Sequence, residues 1–482
     1  MKLPKEIEDI IHTLEEKGFE GYVVGGCVRD ILRGVNPEDF DVASNAGPED
    51  VARIFKKSYS DNKFGTVTVF TPSKRENLKE VQVTPYRIES NYKDKRHPEK
   101  VEFVENIRED LKRRDFTVNA MALHPREKVI DLFGGREDLE KRVIRAVGNP
   151  TERFFEDALR MMRGVRFFAT LDFGIEKKTK EAIKENAPLL SKISEERIRD
   201  EFLKIIDSEK AKEGVEELRR LGLLERFLPE LLEGYQVAQN KHHIYDCYEH
   251  AVNALEYATR KKFSRHVRLA ALLHDVGKPR VKEGNDKEAT FHNHEVVGAK
   301  MTRGILRRLK FRKEDIEKVM LLVRYHLFYY NVGEVSESSV RRLLRKVGKE
   351  NIDELLQVRM ADRIGSGVPK AEPYRLRHMR YLIKKVSEDP ISVNMLKVGG
   401  KDIMEILNTS PGPVIGDILN ILLLKVINEP KLNKKESLRK EIEKIKNWDD
   451  EKRKEESQRA KKEIESLEVK RDEMNKKKYW VT

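Results

Sequence analysis

The chain has 482 residues, more than one hydrophobic core ordinarily organises, so we expect at least two domains. Charged and apolar residues each make up 38% of it, which excludes disorder throughout. The formal charge of +13 favours a polyanionic partner such as nucleic acid. The only two cysteines, Cys27 and Cys247, exclude a disulfide framework and a multi-cysteine zinc module.

Neither a secretory signal nor a membrane span is predicted. Residues 1–19 predict an amphipathic helix that lacks the apolar segment of a signal peptide. The longest apolar stretch, residues 418–427, is too short and too polar to cross a bilayer. We therefore expect a cytoplasmic protein.

Strand signals are confined to the N-terminal part of the chain. Short β-branched runs bounded by turn residues begin at Gly21, Asp39, Gly65 and Val81, all within the first ~150 residues, and helical patterns lie between them. From Thr151 onward the pattern is almost wholly helical. The chain is thus predicted to be an α+β protein, with a small sheet domain followed by helices.

The first candidate site lies in the sheet domain. Gly25 and Gly26 follow a predicted strand and open a helix, so backbone N–H groups can approach a phosphate, with Arg29 placed to add positive charge. Asp39 and Asp41 lie two apart on a predicted strand, and both carboxylates therefore face the same side. Each feature alone is common, but paired carboxylates suit Mg²⁺. Together the two features are what in-line nucleotidyl transfer requires.

The motifs Gly25-Gly-Cys-Val-Arg-Asp30 and Asp39-Phe-Asp-Val-Ala43 resemble the nucleotidyltransferase signature of class II (bacterial-type) tRNA CCA-adding enzymes and their poly(A) polymerase relatives. The resemblance continues in the same order through residues 113–122, 145–160 and 195–201. It implies a polymerase-β-like head that holds Mg²⁺ on Asp39 and Asp41. It also implies nucleotide-binding roles for Gly25, Gly26, Arg29, Asp30, Arg114, Asp115, Asn119, Glu156, Asp157, Arg160 and Arg163.

The segment from Glu156 to Arg160 predicts how a base is selected without a nucleic-acid template. Asp157 and Glu156 precede Arg160 by three and four residues, so we expect them on one helix face. Arginine can donate to the ring acceptors of cytosine and adenine, and aspartate can accept from their exocyclic amines. The resemblance implies that Asp157 and Arg160 select CTP and ATP, and that Asp115 holds the ribose 2′-OH. An ordinary intrahelical ion pair is the alternative.

Gln82 and residues 92–103 bear on the metal ligands and on which nucleotides are added. Gln82 stands where the family often has a glutamate, so a third metal-side ligand is not assigned. Residues 92–103 resemble the loop of full CCA-adding and A-adding enzymes, which CC-only members lack, and their mixed charge and proline predict a mobile surface loop. An A-adding enzyme and a poly(A) polymerase therefore remain alternatives to a full CCA-adding enzyme.

A second candidate site lies in a histidine-rich helical block. Its order of His…His-Asp…Asp resembles the HD phosphohydrolase superfamily, in which these residues bind a divalent metal; the four are His250, His274, Asp275 and Asp362. Imidazole and carboxylate ligands suit Mn²⁺, Fe²⁺, Ni²⁺, Co²⁺ or Mg²⁺. His294 and His326 are candidate ligands of a second metal position. The resemblance implies phosphatase or 2′,3′-cyclic phosphodiesterase activity on damaged tRNA 3′ ends, with a tRNA-binding scaffold as the alternative.

These features predict a template-independent tRNA nucleotidyltransferase that adds or repairs the 3′-terminal CCA with CTP, ATP and Mg²⁺ and binds the acceptor arm of tRNA. An HD phosphohydrolase whose head only binds nucleotide is the alternative from another class. The charged segment 434–478 predicts a solvated helix, with a coiled coil or an RNA-contacting arm as alternatives. The predicted domains are a head (1–148), a helical neck (149–235), an HD domain (236–385) and a tail (386–482).

Overall fold

The computed structural model describes residues 3–61, 65–92, 98–126, 129–239, 244–284, 288–387 and 392–481. It divides into two compact units. Unit 1 comprises Met1–Leu327 and Asp353–Ala371, and unit 2 comprises Phe328–Ile352 and Glu372–Thr482. The α+β architecture is confirmed, because the strands lie in the N-terminal part of unit 1 and the remaining elements are helical. The four predicted domains follow a different division from these units, and their boundaries stay a prediction.

The strands of unit 1 have the following bounds: β1 (Gly21–Val24), β2 (Asp41–Ser44), β3 (Ser58–Asp61), β4 (Thr66–Phe70), β5 (Glu80–Pro85), β6 (Arg87–Tyr92), β7 (Pro98–Phe103), β8 (Met121–Leu123), β9 (Ile130–Asp131), β10 (Val143–Ile144) and β11 (Gly174–Ile175). The described residues form a mixed sheet in the order β3-β4-β5-β2-β1-β8-β9. Strand β2 is antiparallel to β1 and parallel to β5 at its centre. The strands β6 and β7 form a separate antiparallel pair.

The helices of unit 1 surround this sheet and continue beyond it: α1 (Lys5–Glu16), α2 (Gly26–Leu32), α3 (Pro48–Ile54), α4 (Glu76–Lys79), α5 (Ile107–Lys112), α6 (Gly135–Glu140), α7 (Pro150–Glu156), α8 (Leu159–Leu171), α9 (Lys177–Asn186), α10 (Glu195–Asp207), α11 (Ala211–Arg220), α12 (Leu224–Phe227), α13 (Pro229–Leu232), α14 (Cys247–Arg260), α15 (Arg265–Leu273), α16 (His294–Arg308) and α17 (Lys313–Tyr325). Helix α1 is amphipathic, as predicted, and buries Ile7, Ile11 and Leu14 in the core of the sheet domain.

The last helices are α18 (Glu337–Val347), α19 (Ile352–Gly365), α20 (Tyr374–Ser387), α21 (Gly400–Leu407), α22 (Pro413–Asn428), α23 (Lys435–Lys446) and α24 (Asp450–Tyr479). Helix α19 from Asp353 onward belongs to unit 1. Short 3₁₀ helices connect elements in both units: Thr117–Asn119, Ala187–Lys192, Lys278–Val281, Lys349–Asn351, Val393–Met395 and Pro430–Leu432. No described helix is long and apolar enough to traverse a bilayer.

Two expectations are corrected by the fold. The charged segment 434–478 is not a single solvated helix, since α23 buries Leu438, Ile442 and Ile445 and α24 buries Ile464 in the core of unit 2. In α23 the buried apolar residues recur on one face, whereas α24 buries only a few residues, among them Ala460 and Ile464. Strand β11 also lies beyond Thr151, where only helices were expected; it pairs with β10 over two residues.

Candidate active site and metal centre

The two predicted catalytic carboxylates lie at the start of β2. Asp41 is the first residue of the strand, while Asp39 precedes it, so the expectation that both lie on the strand is wrong. Their charges nevertheless interact: burial and the neighbouring Asp39 raise the pKa of Asp41 from 3.8 to about 6, against the opposing effect of Arg114. A divalent cation would relieve this repulsion, and the donor set of two hard carboxylates fits Mg²⁺. Gln82 pairs with Asp41 in the parallel register, which is where a third ligand would stand.

The glycine turn approaches these carboxylates closely. Gly25 links β1 to α2, as predicted. Its φ of +80° is a backbone conformation that residues with a side chain rarely adopt. A Cβ atom there would lie 3.0 Å from Arg114 Nη1 and 4.0 Å from Asp41 Oδ2. The turn, the guanidinium and the carboxylate therefore share one small space. The sequence motifs predicted that the turn and the carboxylates meet; the guanidinium of Arg114 is an addition made by the structure.

A chain of polar contacts links α2 to α8. Arg29 donates from Nη1 to Asn119 Oδ1 at 2.9 Å, and Asn119 Nδ2 donates to Asp115 Oδ1 at 3.3 Å. Asp115 in turn accepts from Arg163 Nε at 2.7 Å. Although burial opposes ionisation, Arg163 and then Arg160 lower the pKa of Asp115 to about 2, so it remains a carboxylate. The predicted nucleotide-binding residues of three separate segments thus form one connected group.

Arg29 and Arg114 also bind carboxylates of their own segments. Arg29 forms a bidentate ion pair with Asp30: Nε donates to Oδ1 at 2.9 Å and Nη2 donates to Oδ2 at 2.8 Å. Asp110, only 1% exposed, accepts from Arg114 at 3.0 Å and from Arg113 at 2.6 Å. The sequence analysis did not identify Asp110. Its position three residues before Arg113 and four before Arg114 could have indicated these ion pairs.

The base-selecting pair is arranged differently from the prediction. Asp157 has φ −137° and ψ 104°, which ends α7 at Glu156, and α8 begins only at Leu159. The expectation of a single helix face is therefore wrong. Asp157 Oδ2 accepts from Arg197 Nη2 at 2.8 Å, and Arg160 donates to Glu156 Oε2 at 2.8 Å. The two side chains are held by different partners.

Arg197 is a contributor that sequence reasoning did not single out, although it lies in the matched segment 195–201. It belongs to α10, forty residues from Asp157. Arg160 is similarly anchored through Nη2 to the carbonyl of Arg113 at 2.9 Å. The contacts of Asp157 with Arg197 and of Arg160 with the carbonyl of Arg113 join residues far apart in the chain, and no local spacing rule describes them. Residues 93–97 of the predicted loop lie outside the described residues, and β6 and β7 flank them.

The second candidate site is fully assembled. The predicted set of His250, His274, Asp275 and Asp362 is buried, and one ligand atom from each lies within 4.8 Å of all the others. The Nε2 atoms of His250 and His274 are 2.8 Å apart, and Asp275 Oδ2 lies 3.0 and 3.2 Å from them. Asp362 Oδ1 is 3.4 Å from His250 Nε2 and 3.6 Å from His274 Nε2. Two imidazole nitrogens and two carboxylate oxygens converging in a buried space fit a divalent transition metal.

Local structure orients these ligands. A reciprocal capping box between Asp246 and Glu249 starts α14 and places His250 in its first turn. His274 ends α15, and its Nδ1 lies 2.8 Å from the carbonyl oxygen of Ala271. With the proton on Nδ1 donated to that carbonyl, Nε2 keeps its lone pair for a metal.

The electrostatics of the cluster favour a cation. Burial opposes charge on His274, but Asp275 and Asp362 raise its pKa to about 10. Burial likewise opposes ionisation of Asp362, yet Arg359 holds the pKa of that carboxyl well below its usual range. The carboxylates thus attract either a proton or a metal ion. The sequence analysis did not predict this role of Arg359. It precedes Asp362 by three residues on α19, and its Nη1 lies 2.5 Å from Asp362 Oδ2.

Three parts of the chain match known families. Residues 21–145 match the poly A polymerase head domain, residues 172–234 match the probable RNA and SrmB-binding site of polymerase A, and residues 240–366 match the HD domain. The two candidate sites thus fall in the head and HD matches, and Asp157 and Arg160 lie between the head and RNA-binding matches.

Relatives cover nearly the whole chain. The CCA-adding enzyme of Enterococcus faecalis is 34% identical over 435 residues, or 90% of this chain and 94% of that protein. The CCA-adding enzyme of Ligilactobacillus salivarius is 34% identical over 447 residues, or 92% and 96%. The crystal structure of the Bacillus stearothermophilus CCA-adding enzyme in complex with CTP aligns with a TM-score of 0.58 at 30% identity, covering 92% of this chain and 98% of that one. The chain therefore belongs to the family of CCA-adding enzymes.

Proposed function

We propose that this protein is a template-independent tRNA nucleotidyltransferase that adds or repairs the 3′-terminal CCA with CTP and ATP. The observation that carries the proposal is the meeting of Gly25, Arg114 and Asp41 in one space beside Asp39. Family membership extends it to the tRNA substrate. A cytoplasmic location is part of the same proposal, since tRNA is matured there.

The head residues have distinct parts in this reaction. Asp39 and Asp41 hold Mg²⁺, which when bound supplies the positive charge that in-line transfer of a nucleotidyl group requires. The backbone at Gly25 and the guanidinium of Arg114 accommodate the triphosphate, because a Cβ on Gly25 would lie 3.0 Å from Arg114 Nη1 and 4.0 Å from Asp41 Oδ2. Gln82 stands beside Asp41 as a neutral oxygen donor, which is a weaker ligand for a cation than a carboxylate.

Asp115, Asp157 and Arg160 bind the nucleoside. Asp115, kept ionised by Arg163, accepts a hydrogen bond from the ribose 2′-OH. Asp157 and Arg160 select the base: the carboxylate accepts from the exocyclic amine, and the guanidinium donates to the ring acceptors. Cytosine and adenine share this pattern, so one pair admits both CTP and ATP. Arg197 and Glu156 hold the two side chains in place.

The HD site is proposed to bind a divalent metal through His250, His274, Asp275 and Asp362 and to hydrolyse phosphate esters at damaged tRNA 3′ ends. The convergence of four ligand atoms within 4.8 Å in a buried space supports this. When bound, the metal supplies a Lewis acid for phosphoryl chemistry. The residues themselves fix the orientation of the ligand atoms, and water is the nucleophile that the hydrolysis consumes.

The decisive experiment supplies labelled CTP or ATP together with tRNA lacking CCA and tRNA ending in CC. Incorporation of two C and one A on the first substrate and of one A on the second supports the proposal. Addition of one A to the second substrate without any addition of C to the first identifies an A-adding enzyme, and a long A tail identifies a poly(A) polymerase. Loss of incorporation in Asp39→Asn, with retention in the matched control Asp50→Asn on α3, assigns the activity to the head site.

A further inference from the structure

The head site borders on a buried carboxylate, Asp110 of α5, which is 1% exposed and is paired with two guanidinium groups. Its Oδ1 accepts from Arg113 Nε at 3.0 Å and Nη2 at 2.6 Å. Its Oδ2 accepts from Arg114 Nε at 3.3 Å and Nη2 at 3.0 Å. We propose that Asp110 is a positioning residue for nucleotide binding, which holds Arg114 at the triphosphate site and fixes the backbone that anchors Arg160. This role rests on the proposed function and adds a residue that acts on the nucleotide only through its neighbours.

The ion pair with Asp110 determines where the guanidinium of Arg114 points. Nε and Nη2 lie on one edge of this planar group, so pairing both with Asp110 directs Nη1 away from the carboxylate. A Cβ on Gly25 would lie 3.0 Å from this Nη1. Burial and Asp39 raise the pKa of Asp41, and the charge of Arg114 opposes this rise, so the guanidinium acts electrostatically on the metal-binding carboxylates. Asp110 thus orients the cation of the triphosphate site.

A second connection runs through the backbone at the end of α5. Arg160 Nη2 donates to the carbonyl oxygen of Arg113 at 2.9 Å, and Arg153 Nη1 donates to that of Lys112 at 3.3 Å. The ion pair between Arg113 and Asp110 links this backbone to the preceding turn of the helix. Since Arg160 is only 8% exposed, water cannot readily replace the carbonyl if that backbone moves. Asp110 therefore also supports the arginine that reads the base.

The negative charge of Asp110 is needed to keep the two guanidiniums in place. Successive residues of a helix point in different directions and like charges repel, yet Arg113 and Arg114 both reach this carboxylate. Although burial opposes ionisation, Arg114 and then Arg113 lower the pKa of Asp110, so it stays charged. A neutral residue in this buried position would leave two cations side by side without a counter-ion. We expect Arg114 to move away from the glycine turn in that case.

A purely structural ion pair predicts a different result from a positioning residue. Loss of stability lowers the fraction of folded enzyme and with it the apparent kcat, but leaves the KM of the folded fraction unchanged. Loss of positioning raises the KM for CTP and weakens the binding of inorganic tripolyphosphate, because Arg114 faces that part of the nucleotide. It also relaxes base choice, because Arg160 loses its anchor. These three quantities separate the two roles.

The test compares full-length Asp110→Asn with the parent and with Leu14→Ala, which removes a buried side chain from the core of the same sheet domain. The measurements are KM and kcat for CTP on tRNA lacking CCA, the Ki of tripolyphosphate against CTP, and incorporation of U relative to C. For Asp110→Asn we expect KM and Ki to rise about tenfold or more, as for the loss of a charged hydrogen bond, and the U-to-C ratio to rise severalfold. Leu14→Ala should melt at a lower temperature and keep the parent's KM, Ki and ratio.

A second comparison tests the path through Arg114. In an Arg114→Gln background the cation that Asp110 orients is already gone. Asp110→Asn should therefore raise the Ki of tripolyphosphate by less than about twofold there, although the U-to-C ratio should still rise. A rise in Ki as large as in the parent refutes the path through Arg114, and an unchanged U-to-C ratio in both backgrounds refutes the path through the carbonyl of Arg113.

Failure of this inference and failure of the proposed function give different results. A parent that incorporates no nucleotide overturns the proposed function and the role of Asp110 with it. A parent that adds C, with Asp110→Asn equal to Leu14→Ala in KM, Ki and base choice, overturns the positioning role alone. If Asp110→Asn does not fold, Asp110→Glu decides the question, since it keeps the charge and displaces the carboxylate by one methylene. Raised KM and Ki then support positioning, and parental values overturn it.

Discussion

Replacing Asp41 by asparagine should abolish nucleotide addition and yet stabilise the metal-free protein. Burial and the charge of Asp39 raise the pKa of Asp41 from 3.8 to about 6. A raised pKa means that the folded state binds the proton more tightly than the unfolded state does. The ionised carboxylate therefore destabilises the fold, fully above pH 6 and no longer below about pH 4.

The magnitude follows from that shift. At about 1.4 kcal/mol per pKa unit, a rise from 3.8 to about 6 corresponds to at most about 3 kcal/mol. Asparagine has nearly the same shape and no charge, so Asp41→Asn should recover part of this at pH 8. With roughly 2–4 °C per kcal/mol, the transition that includes the sheet domain should rise by several degrees.

The assay is calorimetry in EDTA at pH 8 and pH 4, and again with Mg²⁺, alongside nucleotide incorporation. The variant should melt higher than the parent at pH 8 in EDTA, with the difference reduced at pH 4. Mg²⁺ should stabilise the parent but not the variant. Incorporation should fall by about a thousandfold or more, since the metal contributes several kcal/mol to the transition state. A variant that melts lower in EDTA at pH 8, or that incorporates normally, would refute the reasoning, and Asp50→Asn controls for loss of a carboxylate elsewhere in the head.

Three further outcomes are expected. Nucleotide addition should decline as the pH falls through 6, because a proton on Asp41 competes with Mg²⁺. Raising the Mg²⁺ concentration should shift this decline to lower pH, and a decline that does not move would contradict a role of Asp41 in metal binding. Asp157→Ala and Arg160→Ala should relax the preference for C and A more than they weaken triphosphate binding, measured as relative incorporation of all four ribonucleotides, and an unchanged preference would place selection elsewhere. The double variant His274→Ala/Asp275→Ala should lose its metal and any phosphohydrolase activity but keep nucleotide addition; if it melts like the parent and no longer adds nucleotides, the two sites are not independent.

Features that depend on neighbours along the chain were predictable from the sequence. A pair of glycines between a β-branched run and a helical pattern predicts a turn into a helix, and Gly25, with its positive φ, lies in that turn. The spacing of apolar residues in the first helix places Ile7 and Leu14 in the core. The order His…His-Asp…Asp indicated the HD ligands, and the structure brings all four together. In each case the controlling interaction is local, or the motif is long enough to identify the fold.

Features that depend on residues far apart in the chain were decided by the tertiary structure. The break at Asp157 replaces one helix by two, and the carboxylate of Asp157 accepts a hydrogen bond from Arg197 on α10. The charged helix α24 buries Ile464 because the other helices of unit 2 supply an apolar cluster for that side chain. His294 and His326 were only candidate ligands in the sequence. The two oxygens of Asp275 acquire separate partners only when α16 and α17 pack beside it, and side-chain direction across such packing is not encoded in spacing along the chain.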